Sequence, residues 1–334
     1  MKNSPTSSIR NKSVRLILAL GALTLLLAAL SLAVGAVRVP LGEVLSALFG
    51  GGDSAIVLYA RAPRVCACLL AGGALAVSGA LTQSVLANPL AAPSTIGVNS
   101  GAGLAAALCC ALAPSATALV PVAAFLGGLL SALLVLFIAG KTGASRLTLV
   151  LAGVALSSLF TGGSTLLQYF ADDTQLGAVV FWTFGDLGST NWSELAMLLA
   201  VDVAALIYFL LKRWDYNAIH SGSDTAASLG VNVKAVTLVS MTVCTVASAL
   251  AVSFVGIISF IGLVAPHAMR RFVGDDYRWL LPCSAAGGAL LLILADLVSR
   301  VLIAPTILPV GAITSFLGAP VFLYLLLKGG SRRA

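Results

Sequence analysis

Few side chains in this sequence could do chemistry, and their spacing says of which kind. Ser157, Thr161, Ser164 and Gln168 recur at intervals of four, three and four within one apolar run, which sets them on one face of a helix. Ser158 and Thr165 widen that face. A stripe of hydroxyls and amides along a spanning helix avoids lipid, so it either bonds to a neighbouring helix or walls an aqueous path. Gln168 near one end and the Gly162–Gly163 pair favour the path. Asp202 sits in the middle of another apolar run, where a charge is costly unless paired or wet. It could couple an ion to transport, or it could hydrogen-bond to a neighbour's Ser or Thr. Coupling sites usually gather several ionisable groups, and Asp202 has no companion at its depth, which favours the structural role.

The remaining reactive residues form no catalytic pattern. His220 and His267 are isolated, and each is expected at the cytoplasmic end of a helix. Cys66, Cys68, Cys109, Cys110, Cys244 and Cys283 lie within or at the ends of apolar runs without His or acidic companions, so they read as small packing residues and not as a metal site. Gly140-Lys141-Thr142 resembles the end of a phosphate-binding loop, but the position that needs the first glycine is Val135 and no strand precedes it. Neither a nucleophile triad nor an HExxH motif is present. No catalytic or metal-binding residue is assigned, and the chain is expected not to be an enzyme by itself.

The elements that must hold these residues are plain. Mean hydropathy is +1.05 and 9% of the residues are charged. Apolar runs follow one another from Leu16 to Lys328, and a bilayer core about 30 Å thick takes about 20 such residues per helix. A soluble protein of 334 residues could not hide that much apolar surface in one core. Spans are expected near 16–37, 61–86, 94–113, 116–140, 146–170, 194–212, 235–256, 258–272, 279–303 and 308–328. The fold class is therefore an all-α membrane protein with about ten transmembrane helices, forming a single domain over residues 1–334. Alternating the joints places fifteen of the 19 Lys and Arg residues on one side and Arg38, Arg61, Arg64 and Arg300 on the other. By the positive-inside rule both termini are cytoplasmic, including a tail over residues 1–15. The net charge of +7 is explained by topology, with no need for a nucleic-acid partner. The first apolar run is too long for a secretory signal and is expected to stay.

Gly72, Ala76 and Ala80, then Gly97 and Gly101, then Gly127 and Ser131 are spaced for close helix contact. Residues 171–192 carry Phe181, Trp182, Phe184 and Trp192 among three aspartates, as an interfacial belt or a surface helix beside a path mouth would.

Two stretches resemble the permease subunits of type II ABC importers for ferric siderophores, haem and vitamin B12. The first is Arg61-Ala-Pro-Arg64, with Gly72-Gly-Ala-Leu75, Gly79, Gln83 and Asn88-Pro-Leu-Ala-Ala-Pro-Ser-Thr-Ile-Gly-Val-Asn-Ser-Gly101. The second is Val255-Gly-Ile-Ile-Ser-Phe-Ile-Gly-Leu-Val-Ala-Pro-His267, with Leu280-Leu-Pro282, Ala295-Asp296, Leu308-Pro-Val-Gly311 and Gly318-Ala-Pro320. Leu151-Ala-Gly-Val-Ala155 is a weaker third match. They run over nearly the whole chain in the family's order.

The resemblance implies a vitamin B12 importer permease-like fold in a bacterial or archaeal inner membrane. It implies a dimer with a second copy or a paralogue, two cytoplasmic ATPase subunits that use ATP and Mg, and an external substrate-binding protein. No cofactor is implied for the chain itself. Asn88 and Leu90 match the family's inner gate, and Ser145 a second gate element. The helix over 146–170 matches the one that lines the path. Arg61 and Arg300 match arginines that meet acidic residues of the binding protein, although Arg300 could instead pair with Asp296 at i, i+4. Within the segment 215–231, Gly222, Asp224, Ala226, Leu229 and Gly230 match the coupling helices that meet the ATPase. The family's acidic residue directly after that glycine is here Ser223. Iron-siderophore import is the expected function. Haem, cobalamin or an oxyanion are the alternatives, and a secondary transporter using Asp202 is the rival of another class.

Overall fold

The computed structural model describes residues 5–35, 39–49, 51, 55–141 and 146–330. Lys2, Arg38, Ser145, Arg332 and Arg333 lie outside the described residues. The described chain folds into the helices α1 (Pro5–Ala33), α2 (Leu41–Leu48), α3 (Ala62–Val85), α4 (Val98–Leu112), α5 (Val120–Lys141), α6 (Arg146–Phe170) and α7 (Asp173–Thr183). It continues through α8 (Trp192–Leu211), α9 (Arg213–His220), α10 (Ser223–Ser228), α11 (Val233–Val255), α12 (Ile261–Val273), α13 (Tyr277–Val301) and α14 (Val310–Gly330). Ten of these fall on the ten expected spans. The short α2, α7, α9 and α10 occupy the joints.

Among the described residues, seven helices (α1, α3, α5, α6, α8, α11 and α13) are long and apolar enough to cross a membrane, and α4 and α14 are shorter apolar helices. α12 is 13 residues long and carries Arg270 and Arg271 in its last turn. Two spans start later than the hydropathy suggests because the backbone breaks first. Gly97, at φ 85°, separates the 3₁₀ turn Pro93–Ile96 from α4. Gly256 (φ 73°) and Phe260 (φ 66°) hold the unwound segment between α11 and α12. Elsewhere local chemistry sets the ends. The Asp172 carboxylate accepts from the Gln175 N–H at 2.8 Å, and Gln175 Oε1 accepts from the Asp172 N–H at 3.1 Å, which starts α7. Asn191 and Glu194 form the same reciprocal cap on α8.

The core is built around α3, which is buried along most of its length and packs on α8, α11, α12 and α13. Glycine makes this possible. A β-carbon on Gly79 would overlap the carbonyl of Gly262 in α12, and one on Gly288 would overlap that of Gly72, so helix backbones touch at both places. Gly101 and Gly127 do the same between α4 and α5. In lipid, where no hydrophobic force drives helices together, such contacts supply dispersion that bulkier residues would prevent. α6 and α14 lie at the periphery with Leu147, Leu151, Leu159, Leu166, Phe316 and Leu323 exposed.

This packing has a test. Gly79→Val should lower the melting temperature of the detergent-solubilised protein by at least several degrees or abolish folded yield. Gly73→Ala in the same helix should leave it unchanged, because that β-carbon meets only ordinary contacts with Ala285.

Candidate translocation path

The polar face of α6 lines a cavity. Thr161, Ser164, Thr165 and Gln168 face Asn99, Ser100 and Gly103 of α4, with Thr183 of α7 and Ile257, around a space of about 320 Å³. No charged side chain lines it. The hydroxyls of Ser158, Ser164 and Thr165 donate to the carbonyls of Val154, Phe160 and Thr161, one turn back in their own helix. Among the described residues, none of the stripe bonds to another helix, which separates it from an interhelical glue. Ser157 does not line the cavity and lies deeper, toward Gly97 and Ser131. α6 is seated at this level by Gly153, where a β-carbon would overlap the Thr95 carbonyl.

Below this cavity the chain turns sharply. Asn88 Oδ1 accepts from the Leu90 N–H at 2.9 Å, an Asx turn, and the Asn88 N–H donates to the Gln83 carbonyl at 3.1 Å. Leu90 is half exposed. It lines a second cavity of about 230 Å³ with Leu75, Pro93, Thr95, Asn99, Ser259 and Phe260. Phe260 holds a left-handed backbone, rare and strained for a bulky residue. Its side chain packs where a β-carbon on Gly318 of α14 would clash.

At one end of the bundle Arg61, Arg64 and Arg300 line a cavity of about 270 Å³ with Gly35, Ala60, Gly188 and Ile307. Arg61 and Arg300 do not point outward, although the resemblance implied it for those two. All three are buried, and Asp296 between them is 0% exposed. Arg64 Nε donates to Asp296 Oδ1 at 2.6 Å and Arg300 Nε to Oδ2 at 2.9 Å, so the i, i+4 pair foreseen as an alternative does form. Arg300 also donates to the Ser31 hydroxyl and to the carbonyls of Ser31 and Val34. Arg61 Nη1 donates to the carbonyls of Leu32 (2.7 Å) and Ala33 (3.0 Å). These carbonyls end α1, where the helix dipole favours cations. Sequence reasoning quoted Arg64 in its motif but gave it no role. Its partner Asp296, 232 residues away, is a tertiary fact.

At the other end α9 and α10 fill the segment expected to meet the ATPase. Gly222 (φ 129°) and Gly230 (φ 82°) bracket α10 in conformations that favour glycine. Ala226 is buried, against the expectation that it contacts a partner, because it packs inward in the same cluster as Tyr216 and Ile219. Asp224, Leu229 and Gly230 are exposed. Two polar contacts tie this hairpin to the spans. The Tyr216 and Ser240 hydroxyls lie 2.7 Å apart, and Asn217 donates to Asp276 at 3.1 Å while accepting from the Tyr277 N–H at 3.0 Å. Partial burial opposes ionisation of Asp276, but hydrogen bonds from Arg278 and Asn217 outweigh it and hold the carboxyl below the usual carboxylate range.

Asp202 lies in α8 against an apolar cavity of about 220 Å³ between α3, α8, α11 and α13. Neither carboxylate oxygen has a hydrogen-bond partner among the described residues, so the expected Ser or Thr contact does not form. No other ionisable side chain lines that cavity.

Removing the shared carboxylate should be severe. Asp296→Ala would leave two buried guanidiniums uncompensated, a loss of about 3–5 kcal/mol for breaking such a pair. Thermal melting in nanodiscs should show a far larger drop for Asp296→Ala than for Asp186→Ala, whose carboxylate is exposed and 3.8 Å from Arg64.

Residues 23–328 match the FecCD transport family. An assigned ABC transporter permease of Methanocaldococcus jannaschii is 46% identical over 88% of each chain. The ferric enterobactin transport system permease of Escherichia coli is 40% identical over 93% of this chain and 95% of its own. The hemin transport system permease of Yersinia pestis is 39% identical over 84% and 85%. Among solved structures, an inward-facing transporter assigned to the metal-chelate ABC type superposes with a TM-score of 0.84 at 28% identity, covering 95% of this chain and 99% of that one.

Proposed function

This chain belongs to the FecCD transport family and is the membrane permease of an ABC importer, and we propose that its cargo is an iron-siderophore complex. The observation that carries the cargo assignment is the hydroxyl- and amide-lined cavity between α4 and α6. An oxygen-rich chelate can exchange hydrogen bonds along such a wall, while a wall without fixed charge holds it weakly enough to release it. No His, Met or Tyr lines the cavity to offer haem a ligand. The test is to purify the binding protein encoded beside this chain and identify its ligand by mass spectrometry and titration. A ferric siderophore is expected, and haem, cobalamin or an oxyanion as the tight ligand would overturn the assignment.

In the proposed assembly two permeases, this chain with a copy or a paralogue, meet around the path with both termini in the cytoplasm. Asn88 and Leu90 close its inner end. Two ATPase subunits bind at α9 and α10 and hydrolyse ATP, and this chain contributes no nucleotide site. Of the matched coupling residues, Leu229 offers the exposed apolar contact, while Gly222 and Gly230 shape the hairpin. Leu229→Glu should therefore abolish the substrate-stimulated part of ATP hydrolysis in the reconstituted complex while the isolated permease still folds. Stimulation at the wild-type level would remove α10 from the contact.

The external binding protein is proposed to dock over the cavity shared by Arg61, Arg64 and Arg300. Arginine suits this because its planar fork holds a carboxylate with direction as well as charge. Arg61→Glu and Arg300→Glu should each weaken association, more so at low salt, as screened attraction requires. If the arginines serve only α1 and Asp296, the same variants will melt earlier, yet the folded fraction will bind the partner with unchanged affinity.

A further inference from the structure

We propose that Asn99 is a specificity-determining contact of the path, set at the junction between its wall and its inner gate. The inference rests on the importer reading above and adds a residue which that reading does not use. Asn99 lines both cavities on this side of the molecule, the one walled by α6 and the one that holds Leu90 and Phe260. Its placement follows from the backbone. The left-handed Gly97 ends the 3₁₀ turn and starts α4, so Asn99 stands in the first helical turn, partly exposed.

Several polar groups near it are already engaged. Thr95 Oγ1 donates to the Ala92 carbonyl at 2.6 Å, Ser100 Oγ to the Gly97 carbonyl at 3.1 Å, and Ser131 Oγ to the same carbonyl at 2.8 Å. Asn88 Oδ1 is held in its own turn. Among the described residues the Asn99 amide makes no hydrogen bond. A carboxamide offers donors and an acceptor without charge. It can bond the carbonyl and hydroxyl oxygens on the surface of a chelate, and neither cavity places a charged side chain beside it. Cargo moving from the α6 wall toward Leu90 would exchange its hydrogen bonds with this amide. The ligand class is an uncharged or weakly charged, oxygen-rich metal chelate.

The test uses the complete transporter in proteoliposomes with two ferric chelates, a neutral trihydroxamate and an anionic triscatecholate. Asn99→Asp adds a charge at the junction. It should raise KM for the anionic chelate about tenfold relative to the neutral one, the size of a like-charge penalty of roughly 1.4 kcal/mol. An unchanged ratio of the two KM values would overturn the proposal. A second arm needs no knowledge of the cargo. In a background lacking the six native cysteines, Asn99→Cys should react with a membrane-impermeant thiosulfonate at least about tenfold faster than Cys283 restored to the same background, since Cys283 is fully buried. Equal rates would place Asn99 outside any aqueous path and overturn the proposal. If wild-type protein carries neither chelate, the cargo assignment fails and the labelling rates still decide the position of Asn99.

Discussion

One buried carboxylate organises an entire end of this molecule. Asp296 lies between the guanidiniums of Arg64 and Arg300, with both oxygens bonded. A single carboxylate does not neutralise two guanidiniums, and the balance comes from the C-terminal carbonyls of α1. There the helix dipole is negative, and Arg61 and Arg300 act as its cap. Removing charges from water is expensive, so such a cluster persists only where each member has partners of good geometry. Its consequence is mechanical. α1, α3 and α13 are fixed to one another at this end, and the cavity there takes its shape from the same three arginines that the proposed docking would use.

The rest of the bundle hangs from α3 by contacts that only glycine permits. Backbone-to-backbone approach at Gly79–Gly262 and Gly72–Gly288 brings α12 and α13 closer than side chains would allow. α12 in turn begins at the break formed by Gly256 and Phe260. That break and the left-handed Gly97 place two irregular segments beside each other, between long apolar helices. Irregular backbone is tolerated there where it is buried in protein or lines a cavity, and both segments border the space beneath the α6 wall. Irregular backbone, the polar stripe and the uncommitted Asn99 amide thus meet in one region.

The opposite end is tied to the same long helices by polar contacts. The α9–α10 hairpin is joined to α11 through Tyr216 and Ser240 and to α13 through Asn217 and Asp276. α13 also carries Asp296 at its far end. The hairpin is thereby joined to a helix whose other end carries the carboxylate of the arginine cluster. Ala226 packs inward there, while Leu229 faces outward.

The sequence by itself determined the class, the places of the ten apolar helices and the polar stripe of α6. Each of these follows from local quantities, apolar run length and a helical period. It also foresaw the Arg300–Asp296 pair, because i, i+4 neighbours on a helix meet wherever the helix lies. Only the tertiary structure decided which way the other side chains turn. Arg61 and Arg64 became buried because their partners come from α1 and α13, far along the chain. Ala226 and Leu229 differ in exposure though both are apolar and three positions apart. Asp202 met an apolar wall and not the hydroxyl that was expected. Asn99 looked like one more polar residue in a motif until two cavities were seen to share it. Periodicity reports which residues lie on one face of a helix. What that face meets depends on crossings between distant segments, which no local pattern encodes.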